Sequence, residues 1–180
     1  FFKMLTDKGV RVKILTNSLA SNDVSVVHAG YSKYRKALLR AGVELYEMDK
    51  KLTRKQRKEK KGVGGSSKAS LHAKSFVLDR EKVFIGSLNL DPRSFYENSE
   101  IGVIIESSEM AAGMAEKFDQ GIENASFRLE LVTDEEDNEY ILWHGYENGE
   151  KVTFEVDPYT SIWRRMGVGF MRLMPIESQL

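Results

Sequence analysis

Apolar residues recur along this chain at two spacings, every second residue and every third or fourth, which predicts strands separated by helices. Residues 11–15 place Val12 and Ile14 on one face of a first strand. Helical spacing follows, and predicts a helix from a cap at Asp23 to about Arg40. Further strands are predicted at residues 43–48, 71–78, 82–87 and 98–106. The strands at 71–78 and 82–87 are predicted to pair around a turn at 79–81.

The pattern changes in the last third of the chain. A second helix, rich in Ala, is predicted to begin at Ser107 and Ser108. Short strands are then predicted at residues 127–133, 140–146 and 151–156, with a hairpin signal at Glu147-Asn148-Gly149. A last helix is predicted to begin near Thr160, followed by an apolar segment at about residues 167–176.

These elements predict an α/β fold in which helices flank a mixed sheet, with a β-rich C-terminal extension. We expect residues 1–125 to form the main domain. Residues 126–180 are expected to form a β-hairpin and helix extension that packs on the same domain.

The composition excludes several classes of protein. With 180 residues, 41% of them hydrophobic, the chain can bury a core, which excludes global disorder. It has no Cys, which excludes disulfides, a thiol nucleophile and zinc–thiolate sites, and its three His argue against a His-rich metal centre. No apolar run approaches the roughly 18 residues of a membrane-spanning helix, so any membrane contact is expected to be peripheral. The chain begins with Phe rather than Met, and we expect it to be a piece of a longer protein.

Charge is balanced over the chain, with 27 basic and 27 acidic residues, but it is not evenly distributed. Residues 50–61 hold eight Lys or Arg and one Glu. This basic segment is either a solvated loop or an arm that attracts a phosphate-bearing ligand, and the sequence leaves both open. The acidic cluster at residues 134–139 predicts an exposed turn.

His72 and Lys74 lie two residues apart in a predicted strand, so their side chains share one face. Two neighbouring cations are unfavourable in a core. They suit a phosphate site, where Lys supplies fixed charge and His attacks phosphorus or transfers a proton. Taken alone, the pair is better explained as part of an exposed strand.

The residues that follow change that interpretation. Gly86 allows close approach of a ligand, and Ser87 and Asn89 share a strand face and can donate hydrogen bonds to phosphoryl oxygens. His72, Lys74 and Asp79 followed by Gly86-Ser87-Leu88-Asn89 resemble the H-x-K-x4-D and G-S-x-N motifs of the phospholipase D superfamily.

The resemblance implies a phospholipase D-like fold in which two such motifs meet at one active site. One motif histidine is the nucleophile at phosphorus, and the other is the acid/base for the leaving and entering alcohols. His72 matches the motif histidine and Lys74 the phosphate-binding lysine. Ser87 and Asn89 match the phosphate-binding hydrogen-bond donors.

Two acidic residues complete the implied site. Glu100 stands where the family places an acid that orients a histidine and raises its basicity. Asp79 matches the motif aspartate, and its spacing predicts a structural role at the end of the strand. The family needs no metal, and neither a metal nor another cofactor is expected here.

The likeness extends over nearly the whole chain. Residues 15–23, 28–47, 162–165 and 173–177 resemble bacterial cardiolipin synthases related to the C-type enzymes, and the match is weakest at the end. Those enzymes carry two motifs whereas this chain carries one, so it resembles their C-terminal half. The second motif is then expected from a missing N-terminal half or from a second copy of the chain.

The leading hypothesis is a bacterial enzyme, peripheral to the membrane, that transfers a phosphatidyl group from one phospholipid to the alcohol of another through a phosphohistidine. One alternative is a metal-independent nuclease made of two one-motif chains, although nucleic acid is not the expected substrate. A second alternative is a non-catalytic half that completes a partner.

Several other residues remain as candidates. His28 is either a polar residue at the edge of the core or part of the substrate cleft, and His144 is expected to be structural. Trp163, Phe170 and Met171 could touch acyl chains, although core packing is the expected fate of each.

Overall fold

The computed structural model describes residues 1–21, 25–51, 74–89, 94 and 97–171. Within them the chain forms two compact units. The first contains the described parts of residues 1–71 and 123–174, and the second contains those of residues 72–122.

The first unit is built on a five-stranded sheet. Its strands are β1 (Lys13–Asn17), β2 (Glu44–Met48), β6 (Ser126–Thr133), β7 (Glu139–Glu147) and β8 (Glu150–Phe154), and they lie in the order β1-β2-β6-β7-β8. The β1–β2 pair is parallel and the other pairs are antiparallel, so the sheet is mixed, as the sequence predicts. At the β7–β8 turn Asn148 and Gly149 both have positive φ, which confirms the predicted hairpin.

Two helices of this unit precede its antiparallel strands. Helix α2 (Ser25–Arg40) confirms the predicted helix, while the cap predicted at Asp23 lies outside the described residues. Its Tyr31, Leu38 and Leu39 pack against a buried cluster that consists of Leu45, Phe127, Leu129, Ile141 and Trp143. Helix α1 (Phe2–Asp7) was not predicted.

The second unit is a three-stranded antiparallel sheet with one helix. Strands β3 (Lys74–Leu78), β4 (Lys82–Gly86) and β5 (Gly102–Glu106) lie in chain order, and helix α3 (Ser108–Ala125) follows. The predicted hairpin between β3 and β4 is confirmed. Ser107 caps α3, because its hydroxyl accepts a hydrogen bond from the Met110 backbone N–H at 3.2 Å.

Helix α4 (Ile162–Met171) begins close to the predicted position and includes the first part of the predicted apolar segment. Val168 is buried with Leu19 and Ala29, and the partly buried Met171 packs against them. The helix also carries four large apolar side chains that are 60% to 78% exposed: Ile162, Trp163, Met166 and Phe170. The expectation that Trp163 and Phe170 pack in the core is therefore wrong.

Strand β6 pairs with β2, so the chain after residue 125 continues the first sheet. The compact units separate residues 72–122 from residues 1–71, whereas the predicted main domain contains both. The domain division at residues 125 and 126 stays a prediction. Within the described ranges, no helix is both long and apolar enough to cross a membrane.

Candidate active site

The second unit holds all the predicted site residues that the structure describes. Lys74 begins β3, Ser87 and Asn89 follow β4, and Glu100 precedes β5. His72 lies outside the described residues, so its predicted place beside Lys74 on one strand face stays a prediction.

Strand pairing places Lys74 in one row with two glycines, which have no side chains. Lys74 is paired with Gly86, and Gly86 is paired in turn with Gly102 on β5. This row lies at one end of the sheet, where the structure has an open pocket of about 430 Å³. The pocket is lined by Lys74, Ile85, Gly86, Ser87, Ile101, Gly102 and Val103.

Ser87 is fixed by the chain that precedes β5. Its backbone N–H donates to the Ile101 carbonyl oxygen at 2.9 Å, and its Oγ accepts from the Ile101 N–H at 3.0 Å. The Ser87 hydroxyl donates to the Glu100 carboxylate. Ser87 and Glu100, separated by 13 positions in sequence, are therefore neighbours at the pocket.

Glu100 is held as a carboxylate. The hydrogen bond from Ser87 is the main cause that lowers its pKa below the ordinary value. Ser94 and Asn98 also donate to it, and the positive charge of Lys74 acts in the same direction. The pocket is thus lined by a cation and a hydroxyl, and an ionised acid is hydrogen-bonded to that hydroxyl. Such groups can bind a phosphoryl oxygen and orient a proton-carrying group.

The two remaining predicted site residues are Asp79 and Asn89. Asp79 has a φ of 51° and lies in the turn after β3, at the opposite end of that strand from Lys74. At about 3.3 Å per residue, this places it roughly 16 Å from Lys74, as its predicted structural role requires. Asn89 is exposed two residues beyond Ser87.

The other histidines belong to the first unit. His28 is 1% exposed, and its Nε2 lies 2.7 Å from a guanidinium nitrogen of Arg35 and 3.5 Å from Asp157 Oδ1. It is therefore a buried member of an ionic cluster. His144 bridges two strands, with Nε2 2.7 Å from Glu130 and Nδ1 3.0 Å from Thr153, as the structural role predicted for it implies.

Most of the basic segment lies outside the described residues. Its first two members, Lys50 and Lys51, are held by the first unit itself. Lys50 donates to the Ala20 carbonyl oxygen at 2.7 Å, and Lys51 lies 3.2 Å from Glu147. The acidic cluster forms the predicted turn: Asp134 accepts backbone hydrogen bonds from residues 136 and 138. In the described part of the chain, no three His, Asp or Glu side chains are grouped to hold a metal ion.

Sequence analysis missed two sets of residues that the structure brings together. One is the glycine row, of which Gly102 was not considered although it follows Glu100 by two positions. The other is the ionic cluster around Arg35, whose one visible signal was Glu47 next to apolar residues in a predicted strand. Neither set is recognisable without the strand register and the packing of α2.

Comparison with known proteins assigns the family. Residues 2–122 match the family described as cardiolipin synthase, phospholipase D-like domain. The chain is 45% identical over 172 residues to cardiolipin synthase C of Escherichia coli, covering 94% of this chain and 35% of that protein. It is 29% identical over 137 residues to cardiolipin synthase A of Yersinia pseudotuberculosis, covering 76% of this chain and 23% of the relative.

The chain therefore belongs to the cardiolipin synthase family of phospholipase D-like domains, as the motif resemblance predicts. It spans about a third of the length of cardiolipin synthase C and about a quarter of the length of cardiolipin synthase A. A structural comparison gives a TM-score of 0.45 at 19% identity with the crystal structure of Nuc, a phospholipase D family member from Salmonella typhimurium, covering 70% of this chain and 68% of that one.

Proposed function

We propose that this chain carries one half of a phosphatidyltransferase site that acts on phospholipid phosphodiesters. The observation that supports this most is the mixed character of the pocket beside Lys74. Lys74 and Ser87 suit a phosphoryl group, while Ile85, Ile101 and Val103 are aliphatic and 47% to 78% exposed. A phospholipid presents both kinds of group within a few bonds of each other.

The proposed reaction is a double displacement at phosphorus. A histidine nitrogen attacks the phosphodiester, forming a P–N bond while the bond to the leaving alcohol oxygen breaks. A second histidine donates the proton that the leaving alcohol needs, and later removes a proton from the entering alcohol as that oxygen replaces the P–N bond. His72 fills one of these roles, and a histidine of a second motif fills the other.

The described residues support the phosphoryl group during both steps. The Lys74 ammonium and the Asn89 amide stabilise the charge that develops on the phosphoryl oxygens. Ser87 is oriented by Ile101 and by Glu100, so its hydroxyl occupies a fixed place at the pocket. Glu100, ionised at neutral pH, is suited to orient a histidine and raise its basicity.

Helix α4 supplies a surface for the membrane contact that such a substrate requires. Ile162, Trp163, Met166 and Phe170 fall within a 100° arc of the helix at 100° per residue, opposite the buried Val168. Between residues 158 and 176 the sequence has three Arg and no acidic residue. We propose that this face binds an anionic phospholipid surface, because apolar contact and net positive charge then act together.

The test is an assay on the chain together with the source of its second motif, either a longer form or a second copy. With phosphatidylglycerol vesicles, we expect cardiolipin as the product, and we expect His72→Ala to lower turnover at least about a thousandfold with folding unchanged. Retention of more than a tenth of the activity would refute the role of His72. Cleavage of DNA without lipid turnover would favour the nuclease instead.

The single motif makes a separate point testable. Displacement with a nucleophile on one side of phosphorus and a proton donor on the other requires two groups, and this chain offers one H-x-K histidine. We therefore expect no turnover from the chain as a monomer. Activity measured over a concentration series with light scattering checks this, because activity that is linear in a monomeric protein would show that one motif suffices.

A further inference from the structure

The sheet surface next to Lys74 is occupied by an aromatic ring from a residue outside the motif. Lys74, Gly86 and Gly102 are paired across β3, β4 and β5, so neither β4 nor β5 contributes a side chain in that row. Phe84 lies two residues before Gly86 and therefore on the same face of β4. Glycine inside a strand weakens it and often marks a close approach of another group.

The Phe84 ring fills the space that the two glycines leave. A Cβ at Gly102 would lie 2.3 Å from Cε2 and 2.4 Å from Cζ of Phe84. A Cβ at Gly86 would lie 2.5 Å from the Ile101 carbonyl oxygen and 2.8 Å from Cζ of Phe84. Phe76, on the same face of β3, stacks on Phe84 with ring centroids 5.3 Å apart and planes 29° apart. The Phe84 ring therefore lies against Gly86 and Gly102, in the row that begins with Lys74.

We propose that Phe84 is a substrate-binding residue that contacts the carbon atoms next to the phosphoryl group, and that Gly86 and Gly102 hold its ring in that place. The proposal rests on the proposed function, because it takes Lys74 as the phosphate-binding residue. A group bound at Lys74 meets the partly exposed ring of Phe84, which lies on the same sheet face. This surface selects a phosphodiester that carries acylated glycerol.

Substitution of the glycines distinguishes a Phe84 ring that is positioned for binding from one that only fills space. If Phe84 only packs the sheet, moving it slightly affects stability and nothing else. If its place beside Lys74 matters, Gly102→Ala weakens lipid binding although the ring is still present, because the new methyl group pushes it out of the row. Ile104, which is paired with Phe84 on the same face and is 63% exposed, gives the matched control as Ile104→Ala.

The experiment compares two soluble ligands by NMR titration of this chain: dihexanoyl phosphatidylglycerol below its micelle concentration, and glycerophosphoglycerol, the same diester without acyl chains. We expect Phe84→Ala to raise the Kd of the lipid about tenfold, the factor for losing roughly 50 Å² of apolar contact. The Kd of glycerophosphoglycerol should change less than twofold. Gly102→Ala should act in the same direction, Phe84→Leu should recover part of the loss, and Ile104→Ala should leave both constants unchanged.

The outcomes separate this inference from the proposed function. If Lys74→Ala weakens both ligands while Phe84→Ala and Phe84→Leu leave their ratio unchanged, the phosphate site stands and the role of Phe84 is refuted. If Lys74→Ala weakens neither ligand, the proposed function fails at its phosphate site. Equal weakening of both ligands by Phe84→Ala, with no recovery in Phe84→Leu, would show that the ring supports the sheet rather than the lipid.

Discussion

The two units of this chain hold their charged side chains in different environments. In the first unit, Arg35 is 5% exposed, and its Nε lies 2.7 Å from the Glu47 carboxylate while another guanidinium nitrogen lies 2.7 Å from Asp157. In the second unit, Lys74 lines an open pocket, and Glu100 is hydrogen-bonded to the lining residue Ser87. Both regions bring cations and carboxylates together, but only one of them leaves room for a ligand.

The charged groups of the buried cluster find their partners within it. Tyr31 and Trp143 donate hydrogen bonds to Glu47 at 3.0 and 3.1 Å. Burial alone would lower the pKa of Arg35, but the charges of Glu47 and Asp157 raise it above the ordinary value. The polar atoms of this cluster mostly bind each other, which stabilises one arrangement of α2, β2, β7 and the segment before α4. The pocket in the second unit instead carries groups that a phosphodiester can bind.

The largest difference between the two regions should appear on removing the pocket cation. We expect Lys74→Ala to lower turnover about a hundredfold to a thousandfold, because a charge that stabilises the transition state is lost. The melting temperature should stay within about a degree, since Lys74 is not part of a core. The measurement is kcat/KM with phosphatidylglycerol vesicles, on the chain together with the source of its second motif, and thermal unfolding by circular dichroism.

Lys82 is the matched control for that experiment. It lies on the same sheet face, at the other end of β4, where it forms an exposed ion pair with Glu106. Lys82→Ala should leave turnover unchanged. Equal losses from Lys74→Ala and Lys82→Ala would mean that general surface charge, rather than a phosphate site, controls activity.

The opposite result is expected in the buried cluster. Arg35→Met should lower the free energy of unfolding by about 3 to 5 kcal/mol, because it leaves Glu47 and Asp157 buried without their cation. Urea denaturation measures this. Replacing all three residues by Arg35→Met, Glu47→Gln and Asp157→Asn should recover much of the loss, since no unpaired charge remains.

Arg40 lies on the same helix as Arg35 and provides the surface counterpart, because it forms an exposed ion pair with Glu139. Arg40→Met should leave the unfolding midpoint nearly unchanged. If Arg35→Met proved as mild as Arg40→Met, water would have to reach the cluster, and the contrast between the two units would disappear.

Local chemistry explains which parts of this molecule could be predicted. The hairpins at residues 79–81 and 147–149 and the capped helix α3 depend on neighbouring residues, and the sequence predicts all three. The grouping of strands into two sheets depends on pairings such as β2 with β6, which are far apart in the chain. Helix α1 has no capping side chain and buries none of its residues fully, so it carries no clear pattern.

The candidate site likewise has one part that the sequence predicts and another that it does not. The motif places Lys74, Ser87 and Asn89 near each other, and spacing alone places Asp79 in a turn. The contact between Ser87 and Glu100 was not predictable in detail, because it follows from the pairing of β4 with β5. The pairing of Arg35 with Asp157 joins residues 122 positions apart, a contact that no local pattern encodes.

The smallest expected effect is a loss of stability of the first unit at low pH. Burial by itself would raise the pKa of Asp157, but the hydrogen bond from His28 and the charge of Arg35 outweigh it and hold the pKa well below the ordinary value. A depressed pKa means that the folded state favours the carboxylate. Its stabilising contribution is therefore complete above the ordinary Asp pKa of about 4 and is lost as the pH falls below that value.

The measurement is the difference in unfolding free energy between wild type and Asp157→Asn, followed from about pH 6 to pH 2 by urea denaturation. We expect the difference to stay constant down to about pH 5 and then to shrink, because protonation of Asp157 makes the wild type resemble the variant. In an Arg35→Met background the decrease should be weaker, since the main cation that favours the carboxylate is gone. A difference that grew on acidification would mean that Asp157 is protonated in the fold, and the ionic description of the cluster would be wrong.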